Sequence, residues 1–381
     1  MKIAVVLPQD EKMHAYYGGA IARWVAQVYL HRSGDINFTV FSTHFQKKGA
    51  YPVPVQGHGF LSRFIQPLLR FPKNDTITLR GLFWMAYLCL TTNHFKGYDA
   101  VHIHNQVHYA VWLRKLGYQG KIILHMHNTV QTFLPDRSQW PRLYQSIDMA
   151  LFCSHFVLRS ARNGFEPILP KTAVVYNGVQ LSAHNLPPER QALTLLFAGR
   201  LVKEKGLLEA MEILAELRKR GIQAILNVAG AAGFATSKIT PYMALAQERA
   251  DAINAHYGAA TIRFLGYRSH EALLEEMARS RVFLFPVLWD EPFGMVMVEA
   301  MSTGTPVVAS RRGGIPEVLQ DVGTLVDEMK PSVWADALQP YLQDNAFWEA
   351  QSKAALQHVQ ENFGWPKISA DYEGTLRLGL G

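Results

Sequence analysis

The chain has 381 residues, 49% of them hydrophobic, 11% aromatic and 18% charged, which is room for two ordinary domains and not the composition of a disordered chain. Two cysteines, Cys89 and Cys153, supply neither a disulfide framework nor a metal-ligand spacing, so a reducing cytoplasm is expected. The net charge of +7 is uneven, with 20 Lys and Arg against nine Asp and Glu in residues 1–190 and 18 against 22 thereafter, yet no RNP, helix-turn-helix or zinc-finger pattern points that basic half at nucleic acid.

Lys2–Leu7 reads as a first strand rather than the start of a signal peptide. The loop after it ends on Gly18-Gly19, where backbone can approach a ligand closely, although no G-x-G-x-x-G is present. A helix over about 20–32 and a strand at Asn37–Ser42 come next. Within the excursion 45–80, the stretch Phe60–Phe71 mixes Arg63 and Arg70 with Phe64, Leu68 and Leu69. It reads either as a basic amphipathic segment for an anionic membrane surface or as a helix packed on its own domain. Gly81–Leu90 is about half the length of a membrane span and is expected to be a core helix. Tyr98–His104, Lys121–His127 and Met149–Ser154 are further strands. This rhythm predicts a parallel α/β sheet whose ligand lies at the carboxyl ends of the strands. Those ends carry Gly18, Gly19, His104, Asn105, His127, Asn128 and Ser154. His102 and His104 share a strand face, as do His125 and His127. Four imidazoles invite zinc, but no carboxylate or thiolate pattern accompanies them, so no metal is expected and His127 is read as a single polar contact.

Residues 177–192, with Asn177-Gly178 and Pro187-Pro188, read as a linker. The rhythm then restarts: strands at 193–199, 223–230 and 261–266, helices at about 206–220, 240–257 and 269–279. Next comes Val282–Val287 as a buried strand, a loop with Glu291, a helix from Gly294 to Ser302, and a strand at Pro306–Ser310. Helices at about 345–362 and on to about Leu378 end the chain. The helix start near Phe293 to Met295 offers unpaired N–H groups to an anion such as a pyrophosphate. Glu299 is placed for a ribose diol, and Glu291 reaches outward to another hydroxylated group. Arg200, just after a strand, and Lys205, opening a helix, add two cations for phosphates at the same sheet edge.

Taken together, Phe197–Gly206, Val175–Val179, Glu291-x7-Glu299, Gly304–Ser310 and Gly313–Val318 resemble the retaining glycosyltransferases of family GT4. Lys121–Asn128 and the Glu291 block look most like bacterial transferases that add N-acetylglucosamine or glucose to the lipopolysaccharide core. Some spore-coat polysaccharide enzymes are similar too. The resemblance implies an α/β protein of GT-B fold, two facing Rossmann-like domains with parallel sheets. Residues 1–176 would bind the acceptor and 193–363 the nucleotide sugar, with a C-terminal helix of about 364–381 crossing back to the first domain. It implies donor contacts from Gly18, Gly19, Arg200, Lys205, Glu291, Phe293, Gly294, Met295, Val296 and Glu299. Catalytic contributions would come from His127, Glu291, Arg200 and Lys205, and acceptor contacts from His104, Asn105 and Asn128. A UDP-sugar is the favoured donor, with GDP-mannose the alternative, and a glycan or glycolipid the acceptor, in cell-envelope biosynthesis. No D-x-D pair is present, so a metal-independent transfer without a cofactor is expected. The basic first half suits peripheral contact with an anionic membrane. An epimerase on the same scaffold and a non-catalytic nucleotide-sugar-binding scaffold are the rival readings.

Overall fold

The computed structural model describes residues 1–8, 19–42, 54–57, 95–165, 169–181, 193–231 and 239–380. Gly18, the basic stretch Phe60–Phe71, the apolar run Gly81–Leu90 and most of 177–192 lie outside them. The chain divides into two units, Met1–Gly178 with Trp365–Gly381, and Val179–Gly364.

In the first unit, short apolar runs form β1 (Lys2–Val6), β2 (Asn37–Ser42), β3 (Val55–Gly57), β4 (Ala100–His104), β5 (Lys121–Met126), β6 (Met149–Phe152) and β7 (Lys171–Val174). They build a parallel sheet in the order β3-β2-β1-β4-β5-β6-β7. Every residue of β4 and β6 is buried, as a parallel sheet covered on both faces requires. The chain order reverses between β1 and β4, where Val6 pairs with Ile103, and such a switch point opens a crevice at the carboxyl edge. The C-terminal helix Trp365–Leu380 returns to this unit. Its Ile368, Tyr372 and Leu376 pack with Trp24, Val25 and Val28 of the helix Ala20–Leu30. Glu373 then accepts from the Ser33 N–H (2.7 Å) and Ser33 Oγ (2.5 Å).

The second unit holds β8 (Thr194–Ala198), β9 (Ile225–Ala229), β10 (Ile262–Gly266), β11 (Val282–Phe285), β12 (Val307–Ser310) and β13 (Thr324–Val326). All are parallel, ordered β10-β9-β8-β11-β12-β13, with the reversal between β8 and β11. Leu195, Phe197, Leu226 and Leu284 form the core with Met211, Leu214 and Leu217 from Leu207–Lys219 and Trp334, Leu338 and Tyr341 from Pro331–Gln343. The helices Pro241–Tyr257 and His270–Arg279 start where their caps dictate: Thr240 Oγ1 accepts from the Met243 N–H and Ser269 Oγ from the Ala272 N–H.

Two of the elements that escape the pattern reading show why. The helix Pro331–Gln343 contains Pro340, which looks like a breaker, yet Pro331 suits the first turn and the apolar face carries the helix through. Strand β13 is three residues long, too short for alternation to register. Among the described residues no helix is long and apolar enough to cross a membrane.

Candidate functional site

In the second unit, the loop after β8 and the loop after β11 meet at the switch point. Arg200 follows β8 and stands exposed. Lys203–Lys205 form one 3-10 turn, and Gly206, at φ 76°, starts the next helix. A Cβ on Gly206 would collide with the Pro286 carbonyl oxygen, so only glycine lets the Lys205 turn lie against the end of β11. The Leu288 N–H donates to the Glu204 carbonyl (2.9 Å), tying the two loops together.

This contact places Lys205 Nζ 2.5 Å from Glu291 Oε2, with the two side chains only 14% and 12% exposed. Trp289 Nε1 donates to the same carboxylate oxygen (2.9 Å), and the Lys205 ammonium sits 4.9 Å from the Trp289 ring centroid. Glu291, expected to reach outward, is therefore folded back onto Lys205, because a buried cation and an indole N–H both seek an acceptor. A Cβ on Gly313 would strike the Glu291 backbone and one on Gly314 the Pro292 carbonyl, and the Gly314 N–H donates to the Glu291 carbonyl (2.7 Å). Trp289 was not singled out from sequence, although an indole two residues from a loop carboxylate is a signal. Phe293 is buried, and Gly294, at φ 88°, begins the helix Met295–Ser302 without any side-chain cap. The first N–H groups at Met295 and Val296 thus keep the anion-receptive character of a helix start. Glu299 lies inside that helix, 4% exposed, with His270 Nδ1 3.6 Å from its carboxylate.

In the first unit, Gly19 precedes the helix Ala20–Leu30 in an extended conformation. The four histidines form a two-by-two array. The rings of His102 and His104 lie 4.2 Å apart, as do those of His125 and His127. Trp24 covers all four edge-on, at 4.8 to 6.1 Å. His104 Nδ1 meets His127 Nε2 at 2.9 Å, and Tyr372 Oη meets His102 Nδ1 at 2.7 Å. Burial, with repulsion between the rings, holds His104 and His125 well below the usual imidazole range. Burial, then the neighbouring His127, pulls His102 to about 3. Burial takes His127 to about 4, opposed by a hydrogen bond that the ring donates to the Asn177 side chain. One nitrogen each from His102, His104 and His125 lies within 4.8 Å of the others. His102 and His125 stack, with 8° between their planes, while His104 is tilted 33° from each.

His104 and Asn105, expected to touch an acceptor, are both buried behind His127. At φ 56°, Asn105 turns its own N–H to the His125 carbonyl and its Oδ1 to the His127 N–H (2.7 Å). A short polar side chain that tolerates the left-handed region serves the backbone of the strand tip. Ser154 is likewise spent as a helix cap, accepting from the Val157 N–H. His127 and Asn128 are mostly buried but keep an accessible edge.

Comparison with known proteins places this geometry. Residues 182–358 match the family model of glycosyl transferases group 1, so the second unit is similar to a domain of that kind. The chain is 24% identical to the putative glycosyltransferase YtcC of Bacillus subtilis, over 95% of this chain and 88% of that one. Among solved structures it resembles HepE of Anabaena in complex with UDP and glucose, at a TM-score of 0.72 and 18% identity, covering 99% of both chains. It also resembles an α,α-trehalose-phosphate synthase (UDP-forming) from Burkholderia xenovorans in complex with glucose-6-phosphate, at 0.73 and 14%, over the whole of both chains. At those identities the structural likeness establishes the GT-B fold. With the group 1 match it supports a glycosyltransferase.

Proposed function

We propose that the protein is a retaining glycosyltransferase that moves a sugar from a UDP-sugar, glucose or N-acetylglucosamine, to a hydroxyl of a glycan or glycolipid in cell-envelope synthesis. The observation that carries this reading is the joining of Lys205 and Glu291 beside an uncapped helix start, at the carboxyl edge of β8 and β11, inside the segment that matches the group 1 transferases. Breaking a glycosyl–phosphate bond builds negative charge on the departing diphosphate. Arg200, Lys205 and the N–H groups at Met295 and Val296 are cationic or dipolar groups positioned before the reaction, which is where such stabilisation is most effective. Glu299 takes the ribose diol and Glu291 a hydroxyl of the donor sugar. On the first unit, the tip of β5 presents His127 as a polar contact for a sugar hydroxyl, with Gly19 and Asn128 as neighbouring ligand contacts. The leaving phosphate itself helps deprotonate the acceptor hydroxyl, so transfer proceeds with retention and without a metal. UDP-sugar use is supported by the UDP of HepE and the UDP-forming synthase among the structural likenesses. The surplus of Lys and Arg in residues 1–190 favours a phosphorylated or membrane-borne acceptor, reached from the cytoplasmic side.

Thermal stabilisation tests the pocket. A ligand at about 100 times its Kd that binds only the folded state adds about 2.7 kcal/mol. UDP, without metal, is expected to raise the Tm by several degrees, and GDP and ADP much less. Arg200→Ala/Lys205→Ala should abolish the rise, and indifference of the wild-type protein to every nucleotide would refute the reading.

A further inference from the structure

Three fixed contacts meet at His127. Its Nε2 lies 2.9 Å from Nδ1 of His104, its ring stacks on His125, and its backbone N–H is held by Asn105. Burial keeps both imidazoles neutral, so one proton is shared across the 2.9 Å contact and its owner is a question of tautomers. The surroundings of His104 answer it. His104 is fully buried, and its Nε2 has no hydrogen-bond partner among the described residues. A proton on that Nε2 would be a buried donor without an acceptor. A proton on Nδ1 is used at once, and only a lone pair is left unmatched.

We propose that His104 is a positioning residue for His127: its Nδ1–H donates to His127 Nε2 and fixes His127 as the Nδ1–H tautomer, a neutral hydrogen-bond donor. His127 Nδ1–H is then the ring donor left for the Asn177 side chain, which hydrogen-bonds this imidazole. A ligand oxygen that replaces Asn177 meets a donor, whereas an unconstrained histidine would adopt whichever tautomer its other contact dictates. His127 therefore offers a hydrogen bond to a sugar oxygen and takes no proton from the acceptor. The identity of that ligand rests on the proposed glycosyl transfer; the tautomer does not.

The test is a long-range 1H–15N spectrum of the protein labelled at histidine, with the His127 signals identified by their loss in His127→Gln. The expected result is Nδ1–H for both His127 and His104, unchanged between pH 8 and pH 6. His104→Leu should move His127 toward the Nε2–H form and lower UDP release from UDP-glucose or UDP-N-acetylglucosamine about tenfold in kcat. His104→Asn, whose amide N–H can stand where Nδ1–H stood, should restore both. An Nε2–H signature for His127 in the wild-type protein overturns the inference, and that spectrum decides even if His104→Leu fails to fold. Unchanged His127 signals in a folded His104→Leu protein overturn it too. If the wild-type spectrum is as expected but neither donor is consumed, the glycosyl-transfer reading fails and the tautomer stands.

Discussion

Lys205 and Glu291 show how one pair serves two states. Each is nearly buried, and removing either partner alone strands a charge, which in buried pairs costs about 3–5 kcal/mol. The pair also restrains binding, because the carboxylate that neutralises Lys205 repels the diphosphate that Lys205 is proposed to hold. Glu291→Gln keeps the shape and an acceptor for Trp289 Nε1 while removing the negative charge. The variant should bind bare UDP about threefold to tenfold more tightly, that is by about 1 kcal/mol. Turnover of a UDP-sugar should fall at the same time, since Glu291 is proposed to contact the sugar. Calorimetric titration with UDP decides it, and weaker UDP binding by the folded variant would show that Glu291 acts only as a strut for the loop.

At the scale of elements, glycine separates turns that are compelled from helices that are merely tolerated. Gly206 combines a φ of 76° with a Cβ position already filled by the Pro286 carbonyl, so Gly206→Ala must part the two loops that bring Lys205 to Glu291. Its expected cost is about 3 kcal/mol or more, read as a lower Tm and as loss of UDP stabilisation. Gly374, inside the C-terminal helix, has open space around its Cβ position, and Gly374→Ala should instead stabilise by about 0.5–1 kcal/mol. The same contrast explains what the sequence made legible. Gly206 and the Thr240 and Ser269 caps act locally, so spacing alone revealed their helices. The βα rhythm and the Glu291–Glu299 segment were legible for the same reason, and the structure puts that segment at the switch point between β8 and β11. The contacts of His104 and Asn105 were not legible, because a strand tip has an outer and an inner ring of polar residues, and only the neighbouring strand β5 decides which is which. Glu291 was placed in the right loop but pointed the wrong way, because its partner stands 86 residues earlier in the chain.

For the molecule as a whole, two units with separate cores need not respond alike to solution conditions, and the histidine array lies wholly in the first. Four imidazoles there have depressed values, to about 3 for His102, about 4 for His127, and well below the usual range for His104 and His125. In the unfolded chain each titrates near 6.5. Below that pH the unfolded state binds more protons than the folded one, so stability falls as pH falls. The contribution is fully present above about pH 6.5 and drains away down to about 4 to 3. By pH 5.5 each histidine costs on the order of 1 kcal/mol, and the four together several kcal/mol, a large fraction of the stability of an ordinary domain. Among the described residues the second unit has no such array. Calorimetry is therefore expected to give melting dominated by the first unit at pH 5.5, with its transition shifted down by far more than that of the second unit relative to pH 8. His125, whose two ring nitrogens both lack partners among the described residues, is the informative position to change. His125→Leu leaves no acceptor wanting a donor and removes one titrating group, so the pH dependence should flatten by about a quarter and stability at pH 5.5 should rise. A first unit as stable at pH 5.5 as at pH 8 would mean that these rings accept protons inside the fold, and that the array is open to water rather than sealed beneath Trp24.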